Sequence, residues 1–114
     1  MQEQWIDCRY DYEDGLRAAR ELITQYPDTD GIIASNDMVA IATYKILSGQ
    51  GYRVPEDVQI IGFDNIRFSW LFTPELTTVI QPIMDMGALA VQIIMKHRQG
   101  LPFQKENILD VSLV

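Results

Sequence analysis

Two short apolar runs, each closing on an Asn/Asp pair, constrain this chain more than anything else in it. Gly31-Ile32-Ile33-Ala34 leads into Ser35-Asn36-Asp37, and Val58-Gln59-Ile60-Ile61-Gly62-Phe63 leads into Asp64-Asn65. Apolar runs of this length bounded by turn-forming residues read as buried strands. Between them, from Asp37 to about Ser48, Met38, Val39, Ile41, Ala42, Ile46 and Leu47 recur at helical spacing, until Gly49-Gln50-Gly51 ends the helix with residues that tolerate a left-handed backbone. Strand, helix, strand at this spacing predicts a parallel βαβ unit. The helix is apolar around more than one face, which calls for deep burial or for a partner on the second face.

The flanking segments extend the alternation. From Glu13 to Tyr26 the positions Leu16, Ala19, Leu22, Ile23 and Tyr26 form one helical stripe, with acids in the first turn and Pro27 just beyond. Leu76-Thr77-Thr78-Val79-Ile80 is rich in β-branched residues and closes on Gln81-Pro82, as a strand leaving its sheet does. A long helix follows from about Met84 to His97, with Met86, Leu89, Ala90, Ile93 and Ile94 in phase and Lys96 and Arg98 near its end. Gly100-Leu101-Pro102 stops it, and Ile108 to Val114 reads as a final strand. The expected class is α/β, a doubly wound lobe on a parallel sheet, which binds ligands beyond the carboxyl ends of its strands.

Composition narrows the function. A chain of 114 residues with 47% hydrophobic and 22% charged residues forms one modest globular domain. Its net charge of -7 and its nine scattered Lys and Arg residues argue against a nucleic-acid surface. No apolar run is long enough to span a bilayer, and Met1-Gln2-Glu3-Gln4 does not open a signal peptide, so a cytoplasmic protein without membrane contact is expected. Cys8 is the single cysteine, which rules out an internal disulfide and a multi-cysteine zinc site; neither a metal nor a cofactor is expected. Asp7, Asp11, Glu13 and Asp14 read as a solvated face or loop, because they lack the spacing of a calcium loop around a central glycine.

Asn36 and Asp64 are the candidate ligand contacts, since both follow strands and their side chains can converge on one crevice if those strands are neighbours. A carboxylate that accepts two hydrogen bonds and an amide that donates and accepts suit vicinal hydroxyls. Asn36 could equally be a helix N-cap and nothing more, and Asp64 a turn former. Catalysis finds thin support: Cys8 has no motif around it, His97 sits at a helix end among Lys96 and Arg98, and no serine elbow, phosphate loop or paired histidine ligands occur. Trp5, Tyr10, Tyr12, Trp70 and Phe72 suit a core or an interface, although a ring beside a loop can stack on a sugar.

Several segments together resemble the LacI/GalR family of bacterial transcription regulators. They are the run from Asp30 to Asp37, then Arg53-Val54-Pro55-Glu56-Asp57-Val58, then Ile61-Gly62-Phe63-Asp64-Asn65, then Thr73 through Pro82, and the helix start at Met86-Gly87. The resemblance implies a two-lobed effector-binding core like that of periplasmic sugar-binding proteins, with a helix-turn-helix headpiece that touches operator DNA. Carried onto this chain, it implies that Asn36 and Asp64 contact the effector, that Tyr10 stacks on it, and that Gln81 lies near the cleft and hinge. It also implies a homodimer surface on Met38, Ile41 and Lys45 of the central helix and on Trp70, Leu71 and Phe72.

The same resemblance makes residues 1–114 a single partial domain without a headpiece, Met1 a truncated or engineered start, and Val114 an early stop. Residues of about 5–82 and 107–114 would form the carboxy-terminal lobe, while the helix over 84–99 would belong to the other lobe and could stay exposed, dock elsewhere or be exchanged between chains. The expected function is sensing of a small polar effector, a sugar first, by a regulator that is a repressor more readily than an activator. The alternatives are a sugar receptor of transport and, further off, a small enzyme using Asp64, Cys8 or His97.

Overall fold

The computed structural model describes residues 4–114. Helix α1 (Tyr12–Gln25) starts where the Asp11 carboxylate accepts the Asp14 N–H at 2.8 Å, so one member of the acidic cluster is an N-cap. Strand β1 (Gly31–Ile33) feeds α2 (Asp37–Gly49), then β2 (Gln59–Phe63), a short 3-10 turn over Arg67–Leu71, β3 (Thr77–Ile80), α3 (Ile83–Arg98) and β4 (Ser112–Leu113). Each expected helix and strand is present, with its ends shifted by a residue or two, except the last strand.

The sheet runs in the order β1-β2-β3-β4. The first three strands are parallel, with Ile32 opposite Ile60 and Gly62 opposite Thr78. The final strand departs from the expected Ile108–Val114: it is confined to Ser112–Leu113, runs antiparallel to β3, and leaves Ile108 93% exposed. The reason lies in the connection. A parallel strand requires a crossover element packed on the sheet; α3 buries none of its residues, so the chain travels out along it and comes back in the opposite sense.

Alternation along the strands divides the sheet into two faces. On one, Ile32, Ile60, Gly62 and Thr78 lie under α2, and Ala34, Val39, Ala40, Leu47, Val58 and Ile60 form the core. Gly15, Ala18 and Ala19 bring α1 close against α2: a Cβ on Gly15 would stand 2.9 Å from the Ala42 Cβ and 3.2 Å from the Val39 Cα. On the opposite face Ile33 is 85% exposed. The second apolar face expected of α2 is only partly free, because Ile41 is buried at 9% exposure and Met38 is half-buried.

Candidate functional site

The carboxyl ends of β1 and β2 place Asn36 and Asp64 on adjacent loops, as the two apolar runs foretold. At Asn36 the competing readings turn out to be compatible. Its side-chain oxygen caps α2 by accepting the Val39 N–H at 2.9 Å, and its amide nitrogen donates to the Tyr10 carbonyl at 3.0 Å. One amide hydrogen and one lone pair remain for a ligand. The bond to Tyr10 also draws the 8–11 stretch to the crevice and leaves the Tyr10 side chain in solvent beside it, 74% exposed.

Asp64 leads a turn in which it and Asn65 both have positive φ, 108° and 53°. Its carboxylate is exposed and accepts the Gln81 side-chain N–H at 2.6 Å, so Gln81, next to Pro82 at the exit of β3, is joined to Asp64. Three of the four expected contact residues therefore lie on loops at the carboxyl ends of neighbouring strands, and Tyr10 is tied to them through Asn36.

Asp37 and Thr78, to which the sequence assigns no role in the site, are both fully buried. The Asp37 carboxylate accepts the Thr78 hydroxyl at 2.5 Å and the Ile66 N–H at 2.8 Å. In the sequence Asp37 is only the residue that follows Asn36 at the start of α2. The available signal was Gly62, a lone glycine inside a strand pattern, which marks close approach of another group; a Cβ there would stand 2.2 Å from the Asp37 Oδ1.

The residues expected at a dimer surface divide. Trp70 and Leu71 are exposed, 58% and 75%, with the Trp70 indole N–H donating to the Asn65 side-chain oxygen at 2.8 Å. Phe72 packs edge-on against Tyr44, and with Ile41 it lines a small hollow of about 90 Å³ near the start of β2 and β3. Lys45 is exposed and extends its ammonium over the Tyr12 ring, 5.9 Å from the centroid, which turns it toward α1.

A cavity of about 430 Å³ lies apart from the polar crevice, between the stretch 4–8 and β1, with Trp5, Cys8, Leu22, Ile32 and Val39 among its walls. Burial there, helped by the Asp14 charge, pushes the Cys8 thiol up from its ordinary value. A raised thiol holds less thiolate at neutral pH, the reverse of what a nucleophile needs. Asp14 itself is held far below the usual carboxylate range by its hydrogen bond from Arg17 and by the Arg9 N–H. Among the described residues no cluster of His, Cys, Asp and Glu could hold a metal, and no helix is long and apolar enough to cross a membrane.

A mostly parallel α/β lobe with polar side chains gathered beyond its strand ends is the architecture of a ligand-binding domain. The profile of the periplasmic binding protein-like domain matches residues 2–114. Over 97 residues the chain is 36% identical to the ribose operon repressor of Halalkalibacterium halodurans, covering 85% of this chain and 29% of that protein. It is 44% identical over 86 residues to the ribose operon repressor of Bacillus subtilis, covering 75% of this chain and 26% of that protein. The solved complex of the transcriptional regulator CelR with cellobiose superposes with a TM-score of 0.87 at 30% identity, over 94% of this chain and 33% of that one. The chain belongs to the periplasmic binding protein-like domain family, and the proteins it is similar to are transcription regulators. It spans less than a third of the length of these curated relatives.

Proposed function

We propose that this chain is one lobe of a sugar-sensing transcription regulator, in which Asn36, Asp64 and Gln81 take the hydroxyls of a small sugar and Tyr10 stacks on its apolar face. The observation that carries this reading is the Asp64–Gln81 pair at 2.6 Å, on the loops adjoining the doubly bonded Asn36. Gln81 uses one oxygen of the carboxylate, and the other is free to accept from a hydroxyl. Such charge-assisted bonds are the strong ones in polar recognition. The relatives support a sugar: two are ribose operon repressors, and CelR was solved with cellobiose.

In the intact regulator the effector lies between this lobe and a second one. Its differential affinity for open and closed lobes shifts DNA-binding headpieces between competent and incompetent arrangements. Operator DNA is contacted through the headpieces and not by this acidic lobe, whose net charge is -7. Two copies meet through a surface that includes Trp70 and Leu71, and the half-buried Met38 and Phe72 adjoin it. Lys45 lies at its margin, and Ile41 supports it from within.

Calorimetry of the intact regulator against ribose, cellobiose and related sugars tests the assignment. Asp64→Ala should weaken binding of the responsive sugar by roughly 10- to 100-fold, the loss of a charged hydrogen bond of about 1.5–3 kcal/mol. Unchanged affinity in Asp64→Ala would overturn the assignment.

A further inference from the structure

We infer that Asp37 is a positioning residue: through Thr78 and the Ile66 N–H it locks the Asp64-Asn65 turn in the conformation that presents the Asp64 carboxylate to the effector. This inference rests on the reading of Asp64 as an effector contact. It begins with an oddity of burial. Asp37 has no exposed surface, and its two oxygens are met by a hydroxyl and a peptide N–H and not by a cation. A carboxylate in that setting is costly to keep, so stability alone does not explain it.

What the carboxylate holds is unusual backbone. Asp64 and Asn65 are successive non-glycine residues with positive φ, a strained arrangement that persists only where surrounding bonds over-determine it. Three successive N–H groups supply those bonds. The Asp64 N–H reaches the Val79 carbonyl at 2.9 Å, the Asn65 N–H reaches the Thr78 hydroxyl oxygen at 3.3 Å, and the Ile66 N–H reaches the Asp37 Oδ2 at 2.8 Å. The Thr78 hydroxyl accepts from Asn65 while donating to Asp37, so two of the three anchors depend on the buried carboxylate.

The sheet is shaped around this relay. Gly62 and Thr78 are paired across β2 and β3 beneath Asp37, and the space a Cβ on Gly62 would fill is taken by the Asp37 Oδ1. Asn36 is the residue directly before Asp37 and caps the same helix, so the carboxylate ties the first turn of α2, beside one proposed contact, to the turn that carries the other.

Thr78→Val in the intact protein removes the hydroxyl at nearly constant volume, and Thr78→Ser restores it. With Thr78→Val, hydrogen exchange at the Asn65 and Ile66 amides should accelerate by about tenfold or more while the Ala40 and Ala42 amides of α2 keep their rates. Affinity for ribose or cellobiose, whichever the wild type binds, should fall by about tenfold. Thr78→Ser should return both readouts to within about twofold of the wild type. Asp37→Asn, with a single acceptor oxygen, is the second variant should Thr78→Val not fold, and the same local loss is expected of it. Unchanged exchange at residues 65 and 66, or acceleration spread evenly over the chain with sugar affinity intact, would overturn the inference. If the wild type binds neither sugar, the sugar reading falls, while the exchange pattern still decides whether Asp37 sets the turn.

Discussion

Asn36 performs two jobs with the two ends of one amide, and substitutions separate them. Asn36→Asp keeps an oxygen for the Val39 N–H but loses the donor to the Tyr10 carbonyl, placing a negative charge against that oxygen instead. Stability should stay within about 1 kcal/mol of the wild type, because Asp caps a helix as well as Asn does, while sugar affinity falls as the 8–11 stretch leaves the crevice. Asn36→Ala loses both bonds and should cost about 0.5–2 kcal/mol. Urea melts and calorimetry on the two variants distinguish capping from recognition. At this scale the sequence was informative where a residue acts through its own neighbours: a cap, a turn former and a strand end can each be read locally. Asp37 was not legible, since its partners Thr78 and Ile66 lie 41 and 29 positions away and meet it only once β2 and β3 are paired.

Elements were legible wherever periodicity and punctuation coincide, as in α2 between Asn36 and Gly49-Gln50-Gly51, and least legible after Gly100, where an extended stretch carries few ladder bonds. Gly15 shows how an element depends on a contact that no period reveals. It sits where α1 crosses α2, so Gly15→Leu should drive the helices apart and cost more than the 1–3 kcal/mol typical of overpacking, whereas the same change at the open position Gly49 should stay well below it. Thermal melts of the two variants make the comparison.

The entry into β2 is tied differently. The Arg53 side chain bonds the Asp57 carboxylate at 2.9 and 2.5 Å, and the Arg53 N–H bonds it at 2.8 Å. These bonds, the Arg53 side chain's first, lower the Asp57 carboxyl to about 2. A folded value below the unfolded one of about 3.9 means the contribution is complete above that value and is lost as pH falls toward about 2. The gap in urea midpoint between wild type and Asp57→Asn should therefore be open at neutral pH and close over this window. Because Arg53 is 71% exposed at its side chain, salt should narrow the gap at every pH.

At the scale of the whole molecule, the radius of gyration is 17.9 Å and the extents are 58 × 30 × 26 Å. A compact domain of this length would have a radius of about 13 Å, and the excess lies in α3, which extends from the lobe. Its periodicity is legible in the sequence, but period identifies a stripe and not what will cover it. Along the stripe Met86 and Ile94 are 44 and 58% exposed, while Leu89 and Ile93 are half-buried. A 16-residue helix with no fully buried residue is marginal in water, and its opening should need little free energy. In the 114-residue chain at micromolar concentration, α3 amides should exchange orders of magnitude faster than those of Val39 to Leu47 in α2. The proposed second lobe would take the stripe, so in the full-length protein the two helices should exchange alike. Protection of α3 equal to that of α2 in the dilute isolated chain would show that the stripe is already covered, by a second copy if the protection fades on dilution and by the same chain if it does not.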